Sequence, residues 1–431
     1  METLEQRIKR LELATERILT HPVTDSFSAL IEPNRRVFKD FRIVYATDNL
    51  RSEFGGVSLD SIENECPAVS KYFGAPGLLF YDDELYETTK RDGFAKFPLD
   101  YSVSFDTQVA EAFRVYEEGK KVADWEWFVK LVQLVKVGDG QFNFDYTFYI
   151  VEDLVHTYDE SNLRPFNTIR ALKRLDHLDE QAFADDPRNP KFNGDRASAG
   201  RQAAEAIYSF QESKEIQQSL VRRKGLKLVL MRAMLLRWEA KRNHHENLLK
   251  LVAYSVDCLG RFGKMELYFA WKLLKHGDKH RFFGSLLQPS DVAMEKINGM
   301  SWDLFSLRHQ ETMASNSQHG MFYIPFIATF DRRFKELFAA CPIRCMLVDD
   351  RYKRTNVIFF DELEFFADLN LALDEATKSR LSNTDAKIAR LSSSLRGTDL
   401  DEHLGELENE CKKFLSVVRA NTYETSRGNR Q

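Results

Sequence analysis

The chain has 431 residues, 43% of them hydrophobic, and this length predicts two or three folded units with a sizeable core. Its 61 Lys and Arg against 66 Asp and Glu give a net charge of -5, which excludes a uniformly basic nucleic-acid-binding protein and confines any polyanion site to a local patch. Five scattered cysteines without paired metal spacing, a charged N-terminal stretch and no apolar run of about 18 residues predict a cytoplasmic protein that does not contact membranes.

The apolar pattern predicts an α/β chain that is interrupted by a long helical segment. Residues 4–19 predict a short amphipathic helix, and strands alternate with helices from about residue 40. Residues 184–200 are rich in Pro, Gly, Asp and Asn, which is typical of an exposed loop or a disordered linker. The predicted segments are an N-terminal α/β elaboration (1–95), two parts of one α/β domain (96–183 and 286–370), a linker and helical insertion between them (184–285), and a helical C-terminal arm (371–431).

Two predicted strands end in a carboxylate that opens a helix. In "SFDTQ" the strand Tyr101 to Phe105 stops at Asp106, and in "ATFDRRF" an apolar strand stops at Asp331. Each Asp alone is explained by helix capping, because its side chain accepts hydrogen bonds from the free amides of a first turn. Two further acids stand at comparable positions: Glu152 follows an apolar run, and Asp303 is expected near the start of a helix.

Acids that share one edge of a sheet indicate a metal site. The carboxyl ends of parallel strands lie along one edge of an α/β sheet, which is where such folds place ligands. Carboxylates gathered there repel one another unless a cation compensates them, and Mg²⁺ typically takes one or two carboxylates plus waters and substrate phosphates. The acids therefore predict a metal-dependent phosphodiesterase with Mg²⁺ or Mn²⁺ as its cofactor.

The order of these motifs resembles the PIN-like nuclease superfamily. Its domains open with a strand ending in Asp-Thr-Asn, matched here by "SFDTQ", and end with T-x-D-x-x-F, matched by "TFDRRF"; the acids that match the family in order are Asp106, Glu152, Asp303 and Asp331. The resemblance spans about residues 95–350. It implies a three-layer α/β/α sheet with a large helical insertion, and an endonuclease whose expected substrate is RNA rather than DNA, of the toxin or phage-defence type.

The second acid of that set has competitors. Asp153 is next to Glu152 and equally available. The interval from Glu152 to Asp303 is far longer than in a minimal PIN domain, so Glu266 is a further alternative. If Glu266 takes this role, "FYIVED" could be the first strand, with Asp153 in place of Asp106.

The helical insertion contains a basic stretch that predicts contact with phosphates. In "VRRKGLKLVLMRAMLLRWEAKRNHH" a helix would have apolar residues on one side and basic residues on the other. Such a helix could lie along a nucleic-acid backbone, or it could be a core helix with a solvated basic face. The four histidines of this region (His244, His245, His276, His280) are interpreted as surface or phosphate-contacting residues. The residues predicted to bind nucleic acid are Arg222, Arg223, Lys227, Arg232, Arg237 and Lys241.

The C-terminal arm carries an apolar stripe, Leu400, Leu404, Leu407 and Phe414, that must be covered. A helical hairpin packed on the chain's own core is the favoured prediction. A homodimer formed through the arm is the alternative. Two functions remain: a metal-dependent endonuclease, or a non-catalytic PIN-like scaffold that binds nucleic acid or a protein partner.

Overall fold

The computed structural model describes residues 2–50, 56–137, 142–240, 243–315, 322–392 and 397–428. It is a mixed α/β protein that divides into two compact units. The sheet unit comprises residues 13–217 and 306–359, and the helical unit comprises residues 1–12, 218–305 and 360–431. None of the described helices is long and apolar enough to cross a membrane.

The sheet unit contains two sheets. The larger has five antiparallel strands in the order β2-β4-β1-β8-β9, and the smaller has four strands in the order β3-β7-β5-β6. In the smaller sheet β7, β5 and β6 run parallel, and β3 pairs antiparallel with β7. The strands are β1 Arg42–Thr47, β2 Gly56–Ser58, β3 Val69–Lys71, β4 Gly77–Tyr81, β5 Leu99–Phe105, β6 Phe144–Asp145, β7 Phe322–Ala328, β8 Ile343–Asp349 and β9 Arg354–Phe359.

Four strands of the two sheets are mostly apolar because both of their faces are buried. All residues of β1, β4, β7 and β8 are buried, which explains their continuous runs of Ile, Leu, Val, Phe and Tyr. The helices assigned to this unit are α1 Leu4–Thr20, of which residues 4–12 belong to the helical unit, α2 Phe27–Phe38, α3 Asp60–Glu65, α4 Asp83–Asp92, α5 Thr107–Glu117, α6 Trp125–Lys136, α7 Thr147–Asp153, α8 Arg164–Leu175, α9 Glu180–Asp185, α10 Arg196–Glu212 and α15 Arg332–Ala340.

The helical unit is built around α11 and α13, whose apolar residues form its core. Two of its long helices, α11 and α14, continue into the sheet unit at one end. The remaining helices are α11 Lys214–Glu239, α12 His244–Ala253, α13 Lys264–His276, α14 Ala293–Ser315, α16 Glu362–Ala372, α17 Glu375–Ser382, α18 Thr384–Ser392 and α19 Gly397–Gly428. Short 3₁₀ or π turns cover Leu154–Tyr158, Tyr254–Cys258, Gly277–Lys279 and Arg281–Leu286.

Several local predictions are confirmed and others are wrong. The α/β class, the N-terminal helix, the strands that end before Asp106 and Asp331, and the helical character of 201–285 are as expected. The strand alternative for "FYIVED" is wrong, because Thr147–Asp153 is helix α7. The expected helix start at Asp303 is also wrong, since α14 begins ten residues earlier at Ala293.

The segment boundaries differ from those predicted. Most of residues 1–95 lies in the sheet unit, where β1 pairs with β8 from the far end of the chain. Residues 184–200 do not form one long loop, because α9 runs to Asp185 and α10 starts at Arg196. The loop between them is tied down by backbone hydrogen bonds from Asn193 N to His177 O (2.8 Å) and from Asp179 N to Lys191 O (2.9 Å).

The cysteines are free thiols, as expected from their spacing. Four are buried, and Cys258 is exposed.

Candidate functional site

Two predicted acids meet at the carboxyl edge of the parallel strands. β5 and β7 are in register from Leu99 opposite Phe322 to Phe105 opposite Ala328, so both strands end at the same level. The pairing extends one step further, because the Asp106 amide donates to Ala328 O at 3.1 Å. Asp106 and Asp331 thus follow neighbouring strand ends, as the carboxyl-edge argument predicts.

Asp106 is both a helix cap and a buried carboxylate. Its Oδ1 accepts from the Val109 amide at 2.7 Å, which caps α5, and its side chain is only 8% exposed. Burial raises the pKa of Asp106 to about 7; the hydrogen bonds from Thr329 and Val109 oppose this, whereas the charges of Glu152 and Asp331 add to it. The helix-cap interpretation is therefore confirmed, but capping alone does not explain the burial.

Thr329 connects the two strand-end acids. Its hydroxyl is fully buried, donates to the Asp106 carboxylate and accepts from the Asp331 amide at 3.0 Å. Asp331 caps α15 by accepting from the Arg333 amide at 2.8 Å, and its carboxylate lies 3.7 Å from the Arg333 guanidinium. The Thr-Phe-Asp spacing of the sequence thus places a hydroxyl against one acid and a backbone amide next to the other.

Glu152 reaches the same edge from helix α7. It accepts a hydrogen bond from the hydroxyl of Thr107, the residue that follows Asp106. Its charge is close enough to raise the pKa of Asp106. The neighbouring Asp153 accepts from Tyr149 Oη at 3.0 Å within the same helix.

A fourth acid of this edge, Asp145, was not among the predicted site residues. It ends β6, the strand parallel to β5 on the other side, and pairs in register with Ser104. Its carboxylate accepts from Thr147 Oγ1 at 2.6 Å and lies 3.9 Å from the buried His309 of α14. Burial raises the pKa of Asp145, but the interactions with His309 and Thr147 outweigh it and leave the pKa below its usual value.

A buried polar chain continues from Asp145 along the sheet. Ser104 donates to Asp145 at 3.5 Å and accepts from Gln310 Nε2 at 2.8 Å, and Tyr323 donates to Gln310 at 3.4 Å. Ser104 and Asp106 point to the same face of β5 because side chains alternate along a strand. The signal that could have identified Asp145 is a repeated dipeptide, because Phe-Asp follows or ends an apolar run at residues 105–106, 144–145, 330–331 and 360–361, the last of these after β9 of the larger sheet.

The other candidate acids belong to the helical unit. Asp303 is a half-buried residue in the middle of α14 and belongs to the helical unit, whereas Asp106, Glu152 and Asp331 belong to the sheet unit. Glu266 occupies the first turn of α13, also in the helical unit, where a carboxylate is stabilised by the helix dipole.

The strand-edge acids are near one another without forming a compact set of ligand atoms. Among the described residues, only His244, His245 and Asp368 bring three His, Cys, Asp or Glu donor atoms within 4.8 Å of one another. Asp106, Glu152 and Asp331 therefore interact through their charges, at separations too large for all three to bind one ion directly.

The basic residues of α11 are engaged within the helical unit. Three of them form ion pairs with acids of α19: Lys224 with Asp401 (2.7 Å), Lys227 with Glu408 (3.5 Å) and Arg232 with Glu410 (2.9 Å). These pairs place the acidic face of the C-terminal arm on the predicted phosphate-binding face of the helix.

The remaining predicted cations differ in exposure. Arg223 donates to Asn298 O at 3.3 Å and stacks over the Trp302 ring at 4.2 Å. Arg237 is buried, where it donates to Leu274 O at 2.8 Å and pairs with Asp278 at 2.7 Å. Arg222 is exposed, and Lys241 lies outside the described residues.

The apolar stripe of the arm is covered within the same unit. Leu400 and Leu407 are buried, and the Phe414 ring packs 5.7 Å from that of Trp238 on α11. This agrees with packing of the arm on the chain's own core.

No family model, curated protein or solved structure matches this chain. The functional interpretation therefore depends on the geometry above and on the order of the sequence motifs.

Proposed function

We propose that the chain is a metal-dependent phosphodiesterase that cuts nucleic acid, RNA more readily than DNA, with a PIN-like three-layer α/β/α arrangement around β5 and β7. The observation that supports this most strongly is the buried carboxylate of Asp106, which lies at the end of a parallel strand with Glu152 and Asp331 close enough to raise its pKa. A buried acid that titrates near neutrality beside other acids is typical of a catalytic or metal-binding position.

The donors of this edge suit a hard divalent cation. Carboxylate oxygens are the ligands that Mg²⁺ and Mn²⁺ prefer, and Mg²⁺ keeps several waters while it contacts one or two carboxylates. This matches an edge at which the three acids do not all come close enough to bind one ion, so that at most two of them would be direct ligands. Asp106 and Asp331 would hold the ion, with Glu152 nearby; when bound, the ion would lower the pKa of the attacking water and neutralise charge on the phosphate.

The chain's own groups prepare the edge for metal binding. Val109 N and the Thr329 hydroxyl hold the Asp106 carboxylate in place, and Thr107 holds Glu152. Because the pKa of Asp106 is about 7 without an ion, a cation at this edge would favour the ionised carboxylate that binds it at neutral pH, and the water would lose its proton as the ion lowers its pKa. The water oxygen would then bond to phosphorus while the bond from phosphorus to the ester oxygen of the leaving strand breaks.

A non-catalytic PIN-like scaffold is the second candidate, and two observations favour it. Asp106 and Asp331 have a structural role as helix caps, and cations of α11 are already paired with acids of α19. Nucleic-acid binding by α11, a homodimer through the arm and a toxin or phage-defence role all stay predictions.

Cleavage assays on single-stranded RNA and DNA with Mg²⁺ or Mn²⁺ distinguish the two candidates. Asp106→Asn and Asp331→Asn should each abolish metal-dependent cleavage while circular dichroism stays unchanged. Asp195→Asn is the matched control, because Asp195 caps α10 in the same unit through the Ala197 and Ser198 amides and is exposed. Cleavage by either site variant at the parent's rate would reject the nuclease.

The same assay identifies the remaining acids. Glu152→Gln should reduce the rate more than Asp153→Asn, since only Glu152 is seen to interact with Asp106. Asp303→Asn and Glu266→Gln test the two acids of the helical unit, and a loss of cleavage with folding intact would assign that residue to the site.

A further inference from the structure

We propose that His244, His245 and Asp368 form a binding site for a borderline transition-metal ion such as Zn²⁺. One donor atom from each side chain lies within 4.8 Å of the other two, and no other set of three or more such residues in the described part of the chain meets this condition. The site is made by the helical unit alone and does not depend on the nuclease proposal.

Two packed helices bring the ligands together. His244 and His245 are the first residues of α12, whose start is fixed by the Asn243 side chain accepting from the Glu246 amide at 3.2 Å. Asp368 lies on α16, which packs against α12. Asp368 is 123 residues from His245 in the sequence, so the three residues do not form a recognisable ligand motif.

Asp368 is held with one oxygen directed to the histidines. Its Oδ2 accepts from Trp271 Nε1 at 2.7 Å and from Lys275 Nζ at 2.6 Å. Its Oδ1 faces His245 Nε2 at 3.4 Å. The neutral hydrogen bond from Trp271 orients the carboxylate as the outer partners of known metal ligands do, whereas the Lys275 ammonium competes with a metal ion for its charge.

His244 supplies an available nitrogen. Within the described residues its Nε2 is buried and has no hydrogen-bond partner, a costly state for a polar atom that a metal ion would relieve.

The donor set selects the class of ion. Two imidazole nitrogens with one carboxylate suit Zn²⁺, Co²⁺ or Ni²⁺ and are a poor match for Mg²⁺ or Ca²⁺, which prefer oxygen. Three protein ligands leave a position for water or another small ligand. The charge of Lys275 is offset by Glu364, 2.9 Å from the same ammonium group, so the immediate surroundings are not net positive.

The test is titration of the full chain with Zn²⁺ and with Co²⁺ in the presence of excess Mg²⁺. All variants carry Cys258→Ser, because this exposed thiol could bind zinc on its own. We expect one ion per chain, visible Co²⁺ absorption of a nitrogen-containing site, and affinity at least tenfold weaker in His244→Ala, His245→Ala and Asp368→Asn. His403→Ala, a histidine of the same unit paired with Glu406, is the control and should bind like the parent.

A further variant separates metal binding from general damage to the fold. Lys275→Met removes the cation that competes for Asp368, so it should bind Zn²⁺ more tightly than the parent, a gain that an unfolded or loosened variant cannot give. Thermal midpoints in EDTA identify any variant that is misfolded; His245 is partly exposed and its replacement is expected to be tolerated. Absence of one-to-one binding, or parent-like affinity in His244→Ala and His245→Ala, would overturn the proposal.

Discussion

Replacing Asp106 with Asn should stabilise the metal-free protein at alkaline pH. The folded state raises the pKa of this carboxyl from 3.8 to about 7, so folding must either bury a charge beside two other acids or retain a proton. The penalty is absent below about pH 4, where the group is protonated in both states, and it grows as the pH rises through the folded pKa. Asn keeps the capping acceptor for Val109 but carries no charge.

The size of the effect follows from the pKa shift. A shift of about three units corresponds to about 4 kcal/mol at 1.36 kcal/mol per unit, and relaxation of the site makes this an upper bound. The Asn variant should therefore exceed the parent in unfolding free energy by up to about 4 kcal/mol at pH 8, and the difference should vanish at pH 4. Urea unfolding in EDTA at pH 4, 6 and 8 measures this.

The expected result and the refuting result for Asp106→Asn have opposite signs. Asp195→Asn removes an exposed cap charge that favours the helix dipole, so it should be neutral or destabilising by less than about 1 kcal/mol at pH 8. If Asp106→Asn is likewise destabilising at pH 8, the negative charge of Asp106 stabilises the helix N-terminus. The proposed repulsion among the three acids would then be refuted. Added Mg²⁺ should stabilise the parent at pH 8 and leave the Asn variant unchanged.

Three further variants test contacts within each unit. His309→Gln should destabilise the protein by about 1–3 kcal/mol in chemical unfolding because Asp145 loses a buried imidazole partner, and an unchanged midpoint would show that the pair contributes nothing. Arg232→Glu should cost less than about 1 kcal/mol, and adding Glu410→Arg should restore the loss in a double-mutant cycle, since this ion pair is partly exposed. Arg237→Glu should cost about 3–5 kcal/mol because the buried position would then hold a carboxylate without a cationic partner, next to Asp278, so a binding loss in that variant must be separated from unfolding by its thermal midpoint.

The strand-end acids could be predicted because their signals are local. An apolar run that stops at Asp, followed by helical spacing, reports the strand end, the cap and the helix within about ten residues, and this was sufficient for Asp106 and Asp331. Asp145 was missed because β6 has only two residues, too few for any periodicity. The start of α14 was misplaced because Gly299 suggests a boundary, whereas the helix continues through it.

Contacts between distant segments could not be predicted from the sequence. The cations of α11 form a strong local pattern, which the sequence presents as a basic helix face. Their acidic partners on α19 are about 180 residues away, so the ion pairs that neutralise this face appear only in the fold. The histidines of α12 are interpreted from the sequence as surface or phosphate-contacting residues, because no carboxylate stands at ligand spacing. The packing of α16 against α12 brings the carboxylate of Asp368 to them. Local signals therefore identified individual acids and cations, whereas their chemical state depends on what the fold places beside them.

The burial of Asp106 is the feature that helix capping cannot account for. An exposed Asp, Asn or Ser caps a helix equally well, and Asp195 shows that this chain uses exposed caps elsewhere. Burying the charged cap residue Asp106 next to Glu152 and Asp331 costs free energy at neutral pH, and an uncharged cap residue would avoid this cost. Thr329 and Val109 offset only part of this cost, because the pKa remains raised despite both hydrogen bonds. A cation at this edge would turn the same arrangement from repulsive to attractive, which gives the acids a physical reason to be there together.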